Sequence, residues 1–374
     1  MVISDQLKLF RKSTGLTQEE VADKLCITRQ ALSNWEQGKA MPDLYAFARL
    51  AKIYKFSPDE FLLGKSLCQD VTHMKTNFSD SQIEKLIIKS YPAMTDLAPL
   101  SGGLVSQTYS FSCGEEKYIF QIGGDFDDYK KQLYIGKKYR KYIPVREVLD
   151  IFQTEKKVAY CFSKYIAGKK LFDLTENERN KLTKSIMNVL FGINQASLPD
   201  DAYWGRFDFN GNAPYKTWID FISLIYNEEI CNWSGLKDKG SCFTLIEEAI
   251  KELKDKIDYL QCEEKCLLHG DIGSYNLIAY NESITGVIDC GYALYGDPLY
   301  EMANILFWNE DKLQNLVAEI KRTYADKKSK LKLYCYTLRI GLEEIYNTEI
   351  LDEIGYESDW VYNRIKEILG NGLL

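Results

Sequence analysis

The stretch LLHGDIGSYNLIAYNESITGVIDCGYALYGDPLYEMANILFW, Leu267 to Trp308, carries an ordered set of polar residues between apolar runs. His269 and Asp271 stand two apart, Asn276 follows five residues later, and Asp289 closes a run expected to be a strand over 284–288. Phosphoryl transfer needs this kind of set: one carboxylate to take or orient a hydroxyl, and two oxygen ligands for Mg²⁺ on the phosphates. Asp271 suits the base, Asn276 and Asp289 suit the metal, and His269 suits a loop-orienting role. Single carboxylates in such turns are usually just turn formers. Here the order and spacing of the whole set argue for chemistry.

Working outward, the chain has 374 residues, which implies more than one domain, and its net charge is −7. Apolar residues make up 45% and charged residues 27%, the balance of a globular protein. Ten cysteines and two histidines include no C-x-x-C pair, which excludes the usual zinc frameworks. No run approaches the roughly 18 apolar residues of a membrane span, and the N-terminus has no apolar signal core. The expectation is a reduced, cytoplasmic protein without a membrane partner.

The charge is uneven. Residues 1–66 hold ten Lys/Arg against eight Asp/Glu, whereas the remainder holds 37 against 46. The basic part reads as short helices: 5–12, 18–25 behind a Thr17–Glu20 capping box, 29–36 behind Thr28, one from Pro42, and a fifth over 57–63. The tight turn at Cys26-Ile27 gives the geometry of a helix-turn-helix whose second helix enters the major groove. Arg29, Gln30, Ser33 and Asn34 then point outward, Thr28 precedes them, and Gln18 stands where a phosphate contact is expected. The segment resembles the Cro-like domains of phage repressors through Thr17-Gln18, Ala22, Ser33-x-Trp35-Glu36 and Gly38. That resemblance implies dimeric binding to palindromic double-stranded DNA.

Residues 67–78 read as a linker, and beyond them come a helix capped at Ser79 or Asp80 and strands over 108–113, 118–122 and 159–165. From about 173 helices dominate. The stretch from Leu267, together with YIPVREVLDI (142–151), AYCFSKYIAG (159–168), YKTWIDFI (215–222) and YTLRIGLEEIY (336–346), resembles the aminoglycoside phosphotransferase family within the protein-kinase-like fold. The fold class expected is α+β: an all-α helix-turn-helix domain over 1–66, a linker over 67–78, and a two-lobed kinase-like fold. Its N-lobe would span 79–165, and its helical C-lobe, with the substrate site, 166–374. The resemblance implies transfer of the γ-phosphate of ATP or GTP, with Mg²⁺, to a hydroxyl of an aminocyclitol such as hygromycin B. It makes Asp271 the catalytic aspartate, Asn276 and Asp289 the metal ligands, and 161–165, with Ser163 and Tyr165, the connector that pairs with adenine.

Two departures stand out. The phosphate loop would be Ser101-Gly102-Gly103-Leu104-Val105-Ser106, with fewer glycines than a protein-kinase loop, so that serine hydroxyls and backbone N–H groups cradle the phosphates. In KYIFQIGG the strand position that usually carries a phosphate-binding lysine is Gln121, and neither Asp127 nor Asp128 is in register to be its acidic partner. Losing that cation predicts weaker nucleotide binding. The basic run Lys130, Lys131, Lys137, Lys138, Arg140 and Lys141 is either a compensating patch or a solvated helix face. A polycationic substrate calls for an acidic cleft. Glu301, Asn304, Glu343, Glu344 and Asp359 are the candidates to line it. A second reading also follows: a regulator whose kinase-like part senses a ligand and alters DNA affinity.

Overall fold

The computed structural model describes residues 16–54 except 26 and 43, 78–155 except 101–105, 157–351 and 358–371, with positions 7, 8, 11 and 14 besides. The chain forms two compact units, Met1–Thr72 and His73–Leu374.

In the first unit, α1 (Gln18–Leu25), α2 (Arg29–Glu36) and α3 (Leu44–Tyr54) surround a small core of Leu7, Val21, Leu25, Leu32, Leu50 and Tyr54. The apolar spacing of α1 and α2 dictates this: Val21, Ala22 and Leu25 share one face, and Leu32 meets them from α2. The turn closes through the Ile27 N–H donating to the Ala22 carbonyl at 3.0 Å, and the Thr28 hydroxyl accepts the Ala31 N–H at 3.2 Å as an N-cap. The Thr17–Glu20 capping box is present. Of the expected flanking helices, 57–63 lies outside the described residues, and of 5–12 only Leu7, Lys8 and Arg11 are described, all helical. Glu36 is buried and accepts both Arg11 (2.6 and 3.1 Å) and the Gln18 amide (2.9 Å). Gln18, half-buried at the start of α1, is held in place by that contact.

The second unit begins with α4 (Asp80–Ser90), whose cap Ser79 donates its N–H to Gln82 at 2.8 Å. Next come β1 (Met94–Leu100), β2 (Gln107–Cys113), β3 (Glu116–Ile122), α5 (Phe126–Tyr139), β4 (Val148–Gln153) and β5 (Ala159–Lys164). The five strands form an antiparallel sheet in the order β1-β2-β3-β5-β4. Phe111, Phe120 and Phe162 pack edge-on or tilted on one face with Ile83 and Ile87 of α4, all fully buried.

The sheet ends at Lys164, and the next strand, β6 (Lys169–Lys170), joins a different one. Helices then take over: α6 (Thr183–Asn194), a two-residue strand β7 (Gly205–Arg206) and α7 (Ser241–Lys256) precede β8 (Cys266–Leu268), β9 (Leu277–Tyr280), β10 (Ser283–Val287) and β11 (Leu294–Gly296). The α-helices that follow are α8 (Pro298–Trp308), α9 (Gln314–Thr323), α10 (Lys327–Glu349) and α11 (Ser358–Asn371). β9 and β10 make a hairpin whose two-residue tip, Asn281-Glu282, has φ of 48° and 59°, the left-handed pair that suits strand twist. Helix α10 runs through the core, and at Gly341 a Cβ would stand 2.8 Å from Phe307 of α8 and Ile365 of α11, so that glycine sets how closely the three helices pack.

Candidate active site

Strand β8 delivers His269 to the rim of the helical lobe, and the chain then turns sharply. Gly270 has φ +82°, and a Cβ there would lie 2.3 Å from the Tyr292 carbonyl oxygen, so only glycine fits. Three side chains pin the loop that follows. The Glu301 carboxylate accepts the N–H groups of His269 (2.6 Å) and Gly270 (3.0 Å), and Asn304 Nδ2 donates to the Gly270 carbonyl at 3.2 Å. Glu310 accepts the Ser274 hydroxyl and N–H. Glu301 and Asn304 were expected to line the cleft; both are buried, at 2% and 8% exposure, and they hold the loop's backbone instead. A carboxylate on an apolar helix survives burial only where such donors meet it.

His269 is fixed as a neutral imidazole. Its Nδ1 accepts the Asp271 N–H at 3.2 Å and its Nε2–H donates to the Ile288 carbonyl at 3.1 Å; burial pushes its pKa down to about 4. It ties the catalytic loop to the end of β10 and does not exchange protons near neutrality. Asn276 Nδ2 donates to the Asp271 carboxylate (2.8 Å) and carbonyl (2.9 Å), which leaves Asn276 Oδ1 to face a cation. The Ile288 N–H donates to the Asn276 carbonyl at 3.0 Å, so Asp289 follows directly alongside. Asp289 itself has φ +63°, a turn out of the strand that sets its carboxylate in the cleft. Burial, then the charge of Asp289, pushes Asp271 up to about 8, against the pull of Asn276. Water reaches Asp289, yet the surrounding protein raises its carboxyl and Arg146 lowers it. Two carboxylates that repel each other are a place for a divalent cation. No trio of His, Cys, Asp or Glu makes a metal shell among the described residues. The donors fit the other arrangement, in which one carboxylate and one amide oxygen share Mg²⁺ with phosphates.

The sheet side of the cleft departs further from expectation. Tyr160–Ser163 pair with β3 on one side and β4 on the other, and Ser163 is fully buried. Their backbone groups are taken up by the ladder and cannot pair with adenine. The Tyr165 N–H also donates to the Lys117 carbonyl, so the segment outside the ladder runs from Ile166 to Gly168. Of the phosphate-loop residues, Ser101, Gly102 and Gly103 lie outside the described residues; Ser106 stands just before β2, half-buried. Gln121 sits on β3 between Thr108 and Cys161, and its Oε1 accepts Nη1 of Arg146 at 3.2 Å. Arg146 is the residue sequence reasoning missed. Its signal was an Arg-Glu pair set between the apolar residues of IPVREVL.

The basic run on α5 disperses. Lys130 pairs with Asp127 and Arg140 with Glu147, while Lys131 is buried and donates to the carbonyls of Gly291 (2.6 Å) and Ala293 (2.8 Å). Asp128 is raised to about 6 by burial and by the charges of Asp125 and Asp289, and it lies with Asp289 beside Gly291. The expected substrate acids are also changed. Glu343 accepts a bidentate contact from Arg206 (2.7 and 3.1 Å) and another from Arg339 (2.7 Å), so it is neutralised in place. Glu344 is half-buried on α10, and Asp359 is exposed in the first turn of α11. In the first unit Arg29 and Gln30 are exposed and Ser33 and Asn34 half-exposed on α2, while Thr28 caps it.

With that geometry described, similarity to known proteins decides the family. A profile described as the phosphotransferase enzyme family matches residues 96–334, most of the chain. The chain belongs to the phosphotransferase enzyme family. Residues 7–61 of this phosphotransferase match a helix-turn-helix profile. It is 29% identical over 302 residues to a hygromycin-B 4-O-kinase of Escherichia coli, a match covering 80% of this chain and 87% of that one. A crystal structure of a thermostable mutant of aminoglycoside phosphotransferase APH(4)-Ia, in ternary complex with AMP-PNP and hygromycin B, superposes with a TM-score of 0.70 at 30% identity, covering 77% of this chain and 97% of that one. The first unit resembles the HTH-type transcriptional activator BcrR of Enterococcus faecalis, 34% identical over 67 residues, 18% of this chain and 33% of the activator. The phosphotransferase has no helix, among the described residues, long and apolar enough to cross a membrane.

Proposed function

We propose that this phosphotransferase moves the γ-phosphate of ATP or GTP to a hydroxyl of an aminoglycoside-like aminocyclitol such as hygromycin B. The observation that carries the reading is the convergence of Asp271, Asn276 and Asp289 on one loop and one strand end. Asp271 orients the substrate hydroxyl, whose oxygen bonds to the γ-phosphorus as the bond to the β–γ bridging oxygen breaks. The hydroxyl proton passes to Asp271 Oδ1, since Oδ2 is held by Asn276. Asn276 and Asp289 would hold Mg²⁺, which neutralises charge on the phosphates. The test incubates purified protein with Mg²⁺, ATP or GTP, and an aminocyclitol panel, with the phosphorylated product read by mass spectrometry. Product from the wild type and a loss of at least about a hundredfold in Asp271→Asn are expected; no product, or equal turnover by the variant, overturns the reading.

The first unit we read as a DNA-binding module in a reducing, cytoplasmic setting, working as a dimer on a palindromic site through Arg29, Gln30, Ser33 and Asn34. The exposed polar face of α2 favours it. The second reading, a regulator whose phosphotransferase unit senses its ligand, rests on the same fusion. It requires operator affinity to change across a saturating series of nucleotide and antibiotic.

A further inference from the structure

The strand position that ordinarily presents a cation to nucleotide phosphates carries a neutral amide, Gln121. We propose that the guanidinium of Arg146, reaching the cleft from the segment before β4 and held by Gln121, is the cation that grips the nucleotide's phosphates. This inference rests on the reading of the cleft as a nucleotide site.

Three observations carry it. Arg146 is placed by backbone, not chance: Val145 bridges Val287 in parallel, the Arg146 N–H donates to the Val287 carbonyl (3.2 Å), and the Val287 N–H donates to the Pro144 carbonyl (2.9 Å). Val287 ends β10, two residues before Asp289, so guanidinium and metal carboxylate are fixed to one seam.

The guanidinium is also left with its charge. Its only side-chain acceptor among the described residues is the uncharged Gln121 oxygen, and its Nε is buried with no partner. The adjacent acid, Glu147, is turned to Arg140 at 2.6 Å. A half-buried guanidinium that no carboxylate meets at hydrogen-bond distance, among the described residues, has donors left for an arriving anion.

Finally, the charge is felt where the phosphates must lie. Arg146 is the strongest of the influences that pull Asp289 down, and Lys170 on β6 adds a second positive charge beside both. A planar fork suits phosphate oxygens better than the ammonium it replaces. Gln121 is then not a lesion but the tether of the substituted group.

The test is calorimetric binding of ADP with Mg²⁺, and of adenosine, to the full chain. Wild type should bind ADP more tightly than adenosine. Arg146→Met should lose about tenfold to a hundredfold for ADP, as for one charge-assisted contact, and change adenosine by less than about twofold. The double variant Arg146→Met with Gln121→Arg, which returns the cation to the strand, should recover most of the ADP affinity. Should Arg146→Met prove unfolded by circular dichroism, Gln121→Glu is the second probe: it keeps the tether, neutralises the guanidinium, and should weaken ADP about tenfold. Equal ADP affinity in wild type and either single variant overturns the inference while leaving the nucleotide site in place. An absence of ADP binding by wild type overturns the nucleotide reading itself, and this inference with it.

Discussion

The carboxylate of Glu301, on helix α8, accepts the backbone N–H of His269 at 2.6 Å and of Gly270 at 3.0 Å. The residue that looks like a cleft acid is a clamp on the loop that carries Asp271. Glu301→Gln puts an amide where two N–H groups point, and a donor facing donors shifts the loop. Turnover should fall about tenfold to a hundredfold with little change in nucleotide affinity, because misplacement by less than an ångström is enough. Steady-state kinetics beside ADP calorimetry separate the two.

Gly270→Ala should be worse. The methyl would meet the Tyr292 carbonyl at 2.3 Å in a backbone conformation that side chains avoid. The expected destabilisation is about 1–3 kcal/mol, with loss of turnover; denaturant midpoints and rate measurements check both. A fully active, equally stable variant would show that the loop has slack.

Glu343 gives a pH signature. Burial alone would raise its carboxyl, but Arg206 and Arg339 outweigh burial and hold it well below the usual carboxylate range. A carboxyl depressed on folding contributes stability above its unfolded value, near 4.5, and loses it as pH falls toward the folded value. Glu343→Gln leaves the buried Arg339 and the partly exposed Arg206 short of a counter-ion, and because solvent screens Arg206 the change should be about 2–3 kcal/mol at pH 7. The gap between wild type and variant, measured by urea denaturation, should narrow steadily below about pH 4.5.

In the first unit, Thr28→Ala removes the cap of α2 and should cost about 1 kcal/mol of that unit's stability. Arg29→Ala should weaken operator binding and flatten the salt dependence by about one unit of slope. Filter binding at several salt concentrations reads the second effect.

The catalytic set was legible because its members lie within 21 positions of one another, from His269 to Asp289, so that order and spacing stood in for geometry. Residues that come from afar were not. Arg146 and Lys131 reach the site across the fold, and no local pattern announces a side chain that will be turned inward. Strand β1 also escaped notice: most of its residues are exposed, a bulge lies between Thr95 and Ala98, and Asp96 has φ +54°, so it shows no alternation. Glu301 and Glu343 were visible as acids, but their partners are backbone N–H groups and guanidiniums, which only folding brings to them. The connector slipped by a few residues because a buried strand and an open segment share the apolar run AYCFSKYIAG.

The parallel bridge between Val145 and Val287 stitches the sheet-bearing lobe to the strand that ends in Asp289. Arg146 and Asp289 therefore hang from one seam, one residue past the first valine and two past the second. A substitution that displaces either valine is felt at both charges.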